Sequence, residues 1–130
     1  MTIYNALDTF SFNNQGIWNR NAYYWEGISF DSCNGHPDGM GEYHHHANPK
    51  CLYTVSSTTH SPVIGFAFDG YPIYGSYAYS SANSSSSSIT RMRTGYKLRN
   101  ITSRQTLSNG TTLSSSQYGP SINSTYPLGK

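Results

Sequence analysis

The sequence predicts a mainly β fold: a small antiparallel β-rich domain with long loops and one short helix, stapled by one disulfide. Three observations predict it. Charged residues make up only 11% of the 130 residues, polarity being carried by Ser, Thr, Asn, Gly and Tyr, a balance that suits strands and turns better than helix surfaces. Apolar residues come in short runs rich in aromatic and β-branched types, bounded by Gly, Pro and Asn. The two cysteines, Cys33 and Cys51, form no CxxC pair.

Taken in order, residues 10–30 mix turn formers (Asn13-Asn14-Gln15-Gly16) with aromatics, and Ala22–Phe30 has strand composition, so two short strands are expected there. Asn34-Gly35 and Pro37-Asp38-Gly39 are turn signals leading into Glu42–His46 as an extended run. Val63–Phe68 reads as a buried strand ending in a turn, and Tyr71–Gly75 leaves that turn with Pro72 confining it to an edge. The run Ser84–Ser88 is a low-complexity loop, flexible unless glycans or packing fix it. Ile89, Met92 and Tyr96 fall near helical spacing behind Ser88 as a cap, which predicts the short helix. From Ile101 onward isolated apolar residues predict no element.

The length suits one domain, residues 1–130, able to bury a single core. The simplest reading of the cysteines is a disulfide, worth roughly 3 kcal/mol for a loop of about 19 residues, with buried free thiols the alternative. Four Asn-x-Ser/Thr sequons, at Asn83, Asn100, Asn109 and Asn123, are candidate sites for N-linked glycans and, with the cysteines, favour a secreted or cell-surface location. The start of the chain lacks the basic and apolar regions of a signal peptide, so the sequence reads as a mature or trimmed portion; no run is long enough for a membrane span.

The formal net charge of +2 is unevenly placed: all six carboxylates lie at or before Asp69, and six of eight basic residues follow position 90. Arg91, Arg93, Lys97, Arg99 and Arg104 have the charge to meet phosphates, but no nucleic-acid motif accompanies them, and a solvated basic face with no nucleic acid partner is expected.

The chemistry concentrates in the histidines. In an extended Glu42–Ala47, side chains alternate with period two, so His44 and His46 share one face and His45 takes the other. The turn at Pro37–Gly41 can return His36 beside them, making three nitrogen ligands for a divalent metal ion, Zn or Cu rather than Ca. Asp31 and Asp69 are the candidates for a carboxylate that completes or orients the set. Asp69 can equally form an Asx-turn through Gly70, and surface histidines can serve only as hydrogen-bonding groups. Tyr71, Tyr74, Tyr77 and Tyr79 are read as packing residues rather than a sugar platform.

Asp31-Ser-Cys-Asn-Gly-His-Pro37, Gly41-Glu-Tyr-His-His-His46, Cys51, His60-Ser-Pro62 and Ile64–Gly75 together resemble the YHYH-domain family over roughly residues 10–128. The motif that names the family departs here, His45 standing in place of the second Tyr, while both same-face histidines remain. The resemblance implies a chain incomplete at its C-terminus relative to the family, and carries no established activity.

Two functions are compatible with these features. One is an extracellular structural or assembly glycoprotein domain with a histidine-rich metal site, self-associating through β-strand pairing into an oligomer or filament. The alternative is a metal-dependent hydrolase or oxidoreductase using His36, His44 and His46 as ligands with Asp69 or Glu42 as general base.

Overall fold

The computed structural model describes residues 2–130. Among these described residues nine short strands form four small sheets: β1 (Thr2–Ile3), β2 (Leu7–Ser11), β3 (Asn19–Asn21), β4 (Gly35–Pro37), β5 (Tyr43–His45), β6 (Val63–Phe66), β7 (Pro72–Tyr74), β8 (Tyr77–Tyr79) and β9 (Ile89–Arg91). One helical turn, α1 (Ala22–Trp25), follows β3. Strand order is β1-β5-β4 in the largest sheet, with β2-β3, β6-β7 and β8-β9 as separate two-stranded pairs. Every pairing is antiparallel except β1 with β5. The expected mainly β fold with small antiparallel sheets is therefore what the chain adopts, and Cys33 and Cys51 are joined, their Cα atoms 5.1 Å apart.

Three local expectations are corrected. Residues 22–25 and 27–29 are helical, not a strand: the Asn21 side chain caps α1 by accepting from the Tyr24 N–H at 3.1 Å, and a 3-10 turn over Gly27–Ser29 follows. An N-cap satisfies a helix donor that strand composition takes no account of, and it decided the outcome. Residues 89–91 are a strand, not a helix. Ser81 to Ser88 are drawn into a turn by their own hydroxyls and amides, which brings Ile89 back opposite Tyr79, and the resulting ladder overrides the helical spacing. The strand over Val63–Phe66 is present, but it is not buried: Phe66 is 71% exposed and Phe68 fully so.

The buried interior is unusual for a domain of this size. Among the described residues the only buried hydrophobic one is Ala22, whereas Asp8, Ser11, His36, His44, His45 and Ser61 are buried polar groups. His45 is the largest fully buried side chain. Aliphatic burial is therefore slight, which leaves aromatic contacts such as Phe12 and Trp25 against Tyr126, the cross-link and polar networks to hold the fold.

The C-terminal segment, for which no element was expected, contains a 3-10 turn at Ser115–Gln117 and otherwise folds back as loop. The Arg104 guanidinium donates to the carbonyls of Pro120, Tyr126 and Pro127 at 2.8–3.1 Å, the Trp18 indole donates to Gln117, and the Asn21 N–H donates to the Lys130 carbonyl. Arg99 similarly holds Thr106 and Leu107. Two of the basic side chains thus serve as internal clamps on carbonyls. No helix among the described residues is long and apolar enough to cross a membrane.

Candidate metal centre

The centre is assembled by a β-hairpin. Asp38 makes its turn, its carboxylate accepting from the Met40 and Glu42 N–H groups at 2.8 and 2.9 Å, and Gly41 closes it at φ +87°, a conformation that glycine adopts without steric cost. The amide of Glu42 bonded to it holds the Asp38 carboxyl below the usual range. Across this turn β4 and β5 pair with His36 directly opposite His44, and their rings lie 4.4 Å apart. His46 follows His44 on the same face, the two rings 4.8 Å apart. The geometry expected from strand alternation and the Pro37–Gly41 bend is therefore present.

Each imidazole is oriented through its Nδ1. That of His44 contacts the Glu42 carbonyl at 3.0 Å and that of His46 the Asn5 carbonyl at 2.7 Å. A carbonyl only accepts, so both Nδ1 atoms carry the proton. His36 Nδ1 contacts Ser29 Oγ at 2.8 Å; that hydroxyl already donates to the Glu26 carbonyl at 2.6 Å and must accept from the ring. In the neutral rings all three Nε2 atoms are then lone pairs, and they converge. His44 Nε2 lies 3.0 Å from His46 Nε2, and the Glu26 Oε2 lies 3.1 Å from His36 Nε2 and 3.3 Å from His46 Nε2. One ligand atom from each of Glu26, His36, His44 and His46 falls within 4.8 Å of every other.

This group can hold a metal ion. Four electron-pair donors pointing at one another out of water repel, and His36 Nε2 finds no hydrogen bond that satisfies it. Protons are a poor remedy at His36, whose pKa is lowered by burial first and by the neighbouring His44 and His46 second. A divalent cation satisfies all four at once, and three imidazoles with a carboxylate are a donor set of the kind that Zn²⁺ and Cu²⁺ take. The Nδ1–carbonyl bonds are the outer support that metal-binding histidines characteristically have.

Glu26 was not foreseen, because residues 22–30 read as a strand. It sits at the C-terminal end of α1, whose brevity brings it under the hairpin; Asn21 as a helix cap and Gly27 as a stop were the signals available in the sequence. Behind it lies Asp8, which shares a hydrogen bond with Glu26 and is paired to Arg20 at 2.6 Å. Burial first, and then the Asp8 charge working against the pull of His46, raise the Glu26 pKa.

The two aspartates expected to supply a carboxylate stand outside the group. Asp31 is exposed and caps the entry to β4, accepting from the Cys33 and Gly35 N–H groups and from the Tyr43 hydroxyl at 2.6 Å. Asp69 lies exposed at the β6–β7 turn, where it accepts from the Tyr71 N–H. Glu42 accepts from the Thr2 hydroxyl. His45 faces away, edge-on to Tyr43. The sequon residues Asn83, Asn100, Asn109 and Asn123 are all exposed.

Fold and site define a small disulfide-stapled β-rich domain built round a partly buried His/Glu cluster. The family described as YHYH protein matches residues 2–126, and the chain belongs to that family. No curated protein and no solved structure matches it.

Proposed function

We propose that this chain is a structural and assembly domain of the cell exterior, in which one divalent metal ion held by His36, His44, His46 and Glu26 and the Cys33–Cys51 bridge together replace the missing aliphatic core. The observation that carries this reading is the closure of the site: four protein donors converge and His44 is only 3% exposed, an arrangement that suits a saturated structural ion better than a catalytic one with a free position. N-linked glycans on the four exposed sequons and self-association of the domain complete the proposal, with Zn or Cu as the metal.

Metal analysis of the purified protein, wild type beside His44→Ala and His46→Ala, tests it. One equivalent of metal in the wild type and little in either variant is expected, with a fall in melting temperature on chelation. Unchanged metal content in both variants would remove the ligand assignment.

A second reading, a metal-dependent hydrolase or oxidoreductase, is favoured by one feature: an open groove of ≈ 410 Å³ bordered by His46, Ile64, Ile73 and Met92. The cobalt-substituted protein separates the two. A visible spectrum that shifts on adding azide would reveal an exchangeable coordination position and favour the enzyme; an unmoved spectrum fits the saturated structural site.

A further inference from the structure

In the β6–β7 hairpin, sequence and burial disagree. Between Ser61 and Gly75 the only charged residue is Asp69, and the segment reads as core. Yet Phe66 is 71% exposed, Tyr71 72%, Phe68 fully, and Val63 and Tyr74 about half. Natural sheet edges are guarded by charge, proline or a covering element. Here β7 carries Pro72, but β6, Val63-Ile64-Gly65-Phe66, carries neither charge nor proline and pairs only with β7 among the described residues. An isolated two-stranded hairpin is marginal in water, so this one lacks a partner on its β6 side.

We infer that the β6–β7 hairpin is the surface through which a second copy of this chain docks, β6 pairing antiparallel with its own counterpart about a two-fold axis to make a four-stranded sheet. This rests on the assembly reading above and names the segment responsible. A second copy is the occupant that the chemistry selects. An uncharged edge is self-complementary under two-fold symmetry, and it offers no ion for a charged partner or a nucleic acid to recognise. The size can reach what an interface needs: at roughly 150–250 Å² per aromatic side chain, complete burial of the exposed fractions of Phe66, Phe68, Tyr71 and Tyr74 would remove on the order of 600 Å² per copy. Two copies then bury about 1,200 Å², the lower bound for a specific interface.

The test is the association state of the full chain by sedimentation equilibrium over a wide concentration range, for the wild type, Phe66→Glu, Phe66→Lys and an equimolar mixture of the two variants. Position 66 is solvent-exposed, so circular dichroism of both variants should match the wild type. The expected result is a wild-type dimer, a dissociation constant raised about tenfold or more in each variant alone, and recovery in the mixture, where opposite charges meet across the axis. Wild-type association that neither variant weakens would overturn this inference while leaving the assembly reading intact. A wild type that stays monomeric at its highest soluble concentration would overturn both and leave the hairpin to a partner of another kind.

Discussion

The Nε2 atoms of His44 and His46 face each other at 3.0 Å while each ring gives its Nδ1 proton to a backbone carbonyl. In the neutral rings, two lone pairs held in that position by the backbone itself leave a place for a cation, and the half-buried carboxylate of Glu26 adds the charge that neutral imidazoles lack.

Replacing Glu26 by Gln keeps the shape and removes that charge. Metal affinity should fall by more than the roughly 10–100-fold typical of outer-support losses, measured by competition with a chromophoric chelator; an affinity equal to that of the wild type would exclude Glu26 from the ligand set.

Asp8 orients Glu26 and is itself held by Arg20 at 2.6 Å. Asp8→Asn should weaken metal binding by about 10–100-fold and alter the ligand-field spectrum of the copper-loaded protein. A stability loss with both affinity and spectrum preserved would reduce Asp8 to a packing role.

All three histidines of the cluster lie inside the loop closed by Cys33 and Cys51. The Cys33→Ser/Cys51→Ser variant should lose roughly 3 kcal/mol of stability from the freed loop and bind metal more weakly, since the ligands must then be gathered at greater entropic cost. Denaturant melts with and without metal would show it; equal metal affinity in the two proteins would mean that the hairpin alone preorganises the site.

Acid should act in two stages. Metal loads only on unprotonated ligands, so acid should strip it, at a pH below the ordinary imidazole range because the bound ion holds protons off the rings. His36 reinforces this in the metal-free protein: its folded pKa is lowered, so its contribution to stability is complete above the unfolded value and is lost as pH falls below it. Asp31 and Asp38 also have lowered values, the former chiefly from the Tyr43 hydroxyl and the latter from the Glu42 amide. Their stabilisation, present above the unfolded carboxyl range near about pH 4, is lost as pH falls through their lower folded values. Metal content and circular dichroism followed together should therefore separate; a single coincident transition would contradict this order.

A methyl group on Gly35 would run into the Tyr43 ring and sit 2.9 Å from His45 Nε2. Gly35→Ala should force β4 away from β5 and separate His36 from His44, costing about 1–3 kcal/mol as overpacking does and lowering metal affinity with it. Calorimetry and metal titration of this one variant would test whether strand spacing controls the site.

Much of the site was legible in the residue order. Strand alternation placed His44 and His46 together, and the Pro37–Gly41 bend returned His36, because both depend on backbone periodicity and turn chemistry over a few residues. The carboxylate was not legible. Asp31 and Asp69 were nearer to the histidine motifs in character, but Asp31 is taken up by amides at the start of β4 and Asp69 by its own turn. Glu26 arrives from a different segment through a helical turn of four residues, too short for periodicity to reveal.

The sequence by itself determined what is local: a β-rich chain, the hairpin with its turn residues, and the cysteines available for one cross-link. Only the tertiary structure decided that Glu26 meets the histidines, that the interior is polar, and that the most core-like segment, Val63–Phe68, lies at the surface. The physical reason is range. Turn and alternation preferences act between neighbours along the chain, whereas burial and donor convergence depend on which distant segments happen to share the same few ångströms.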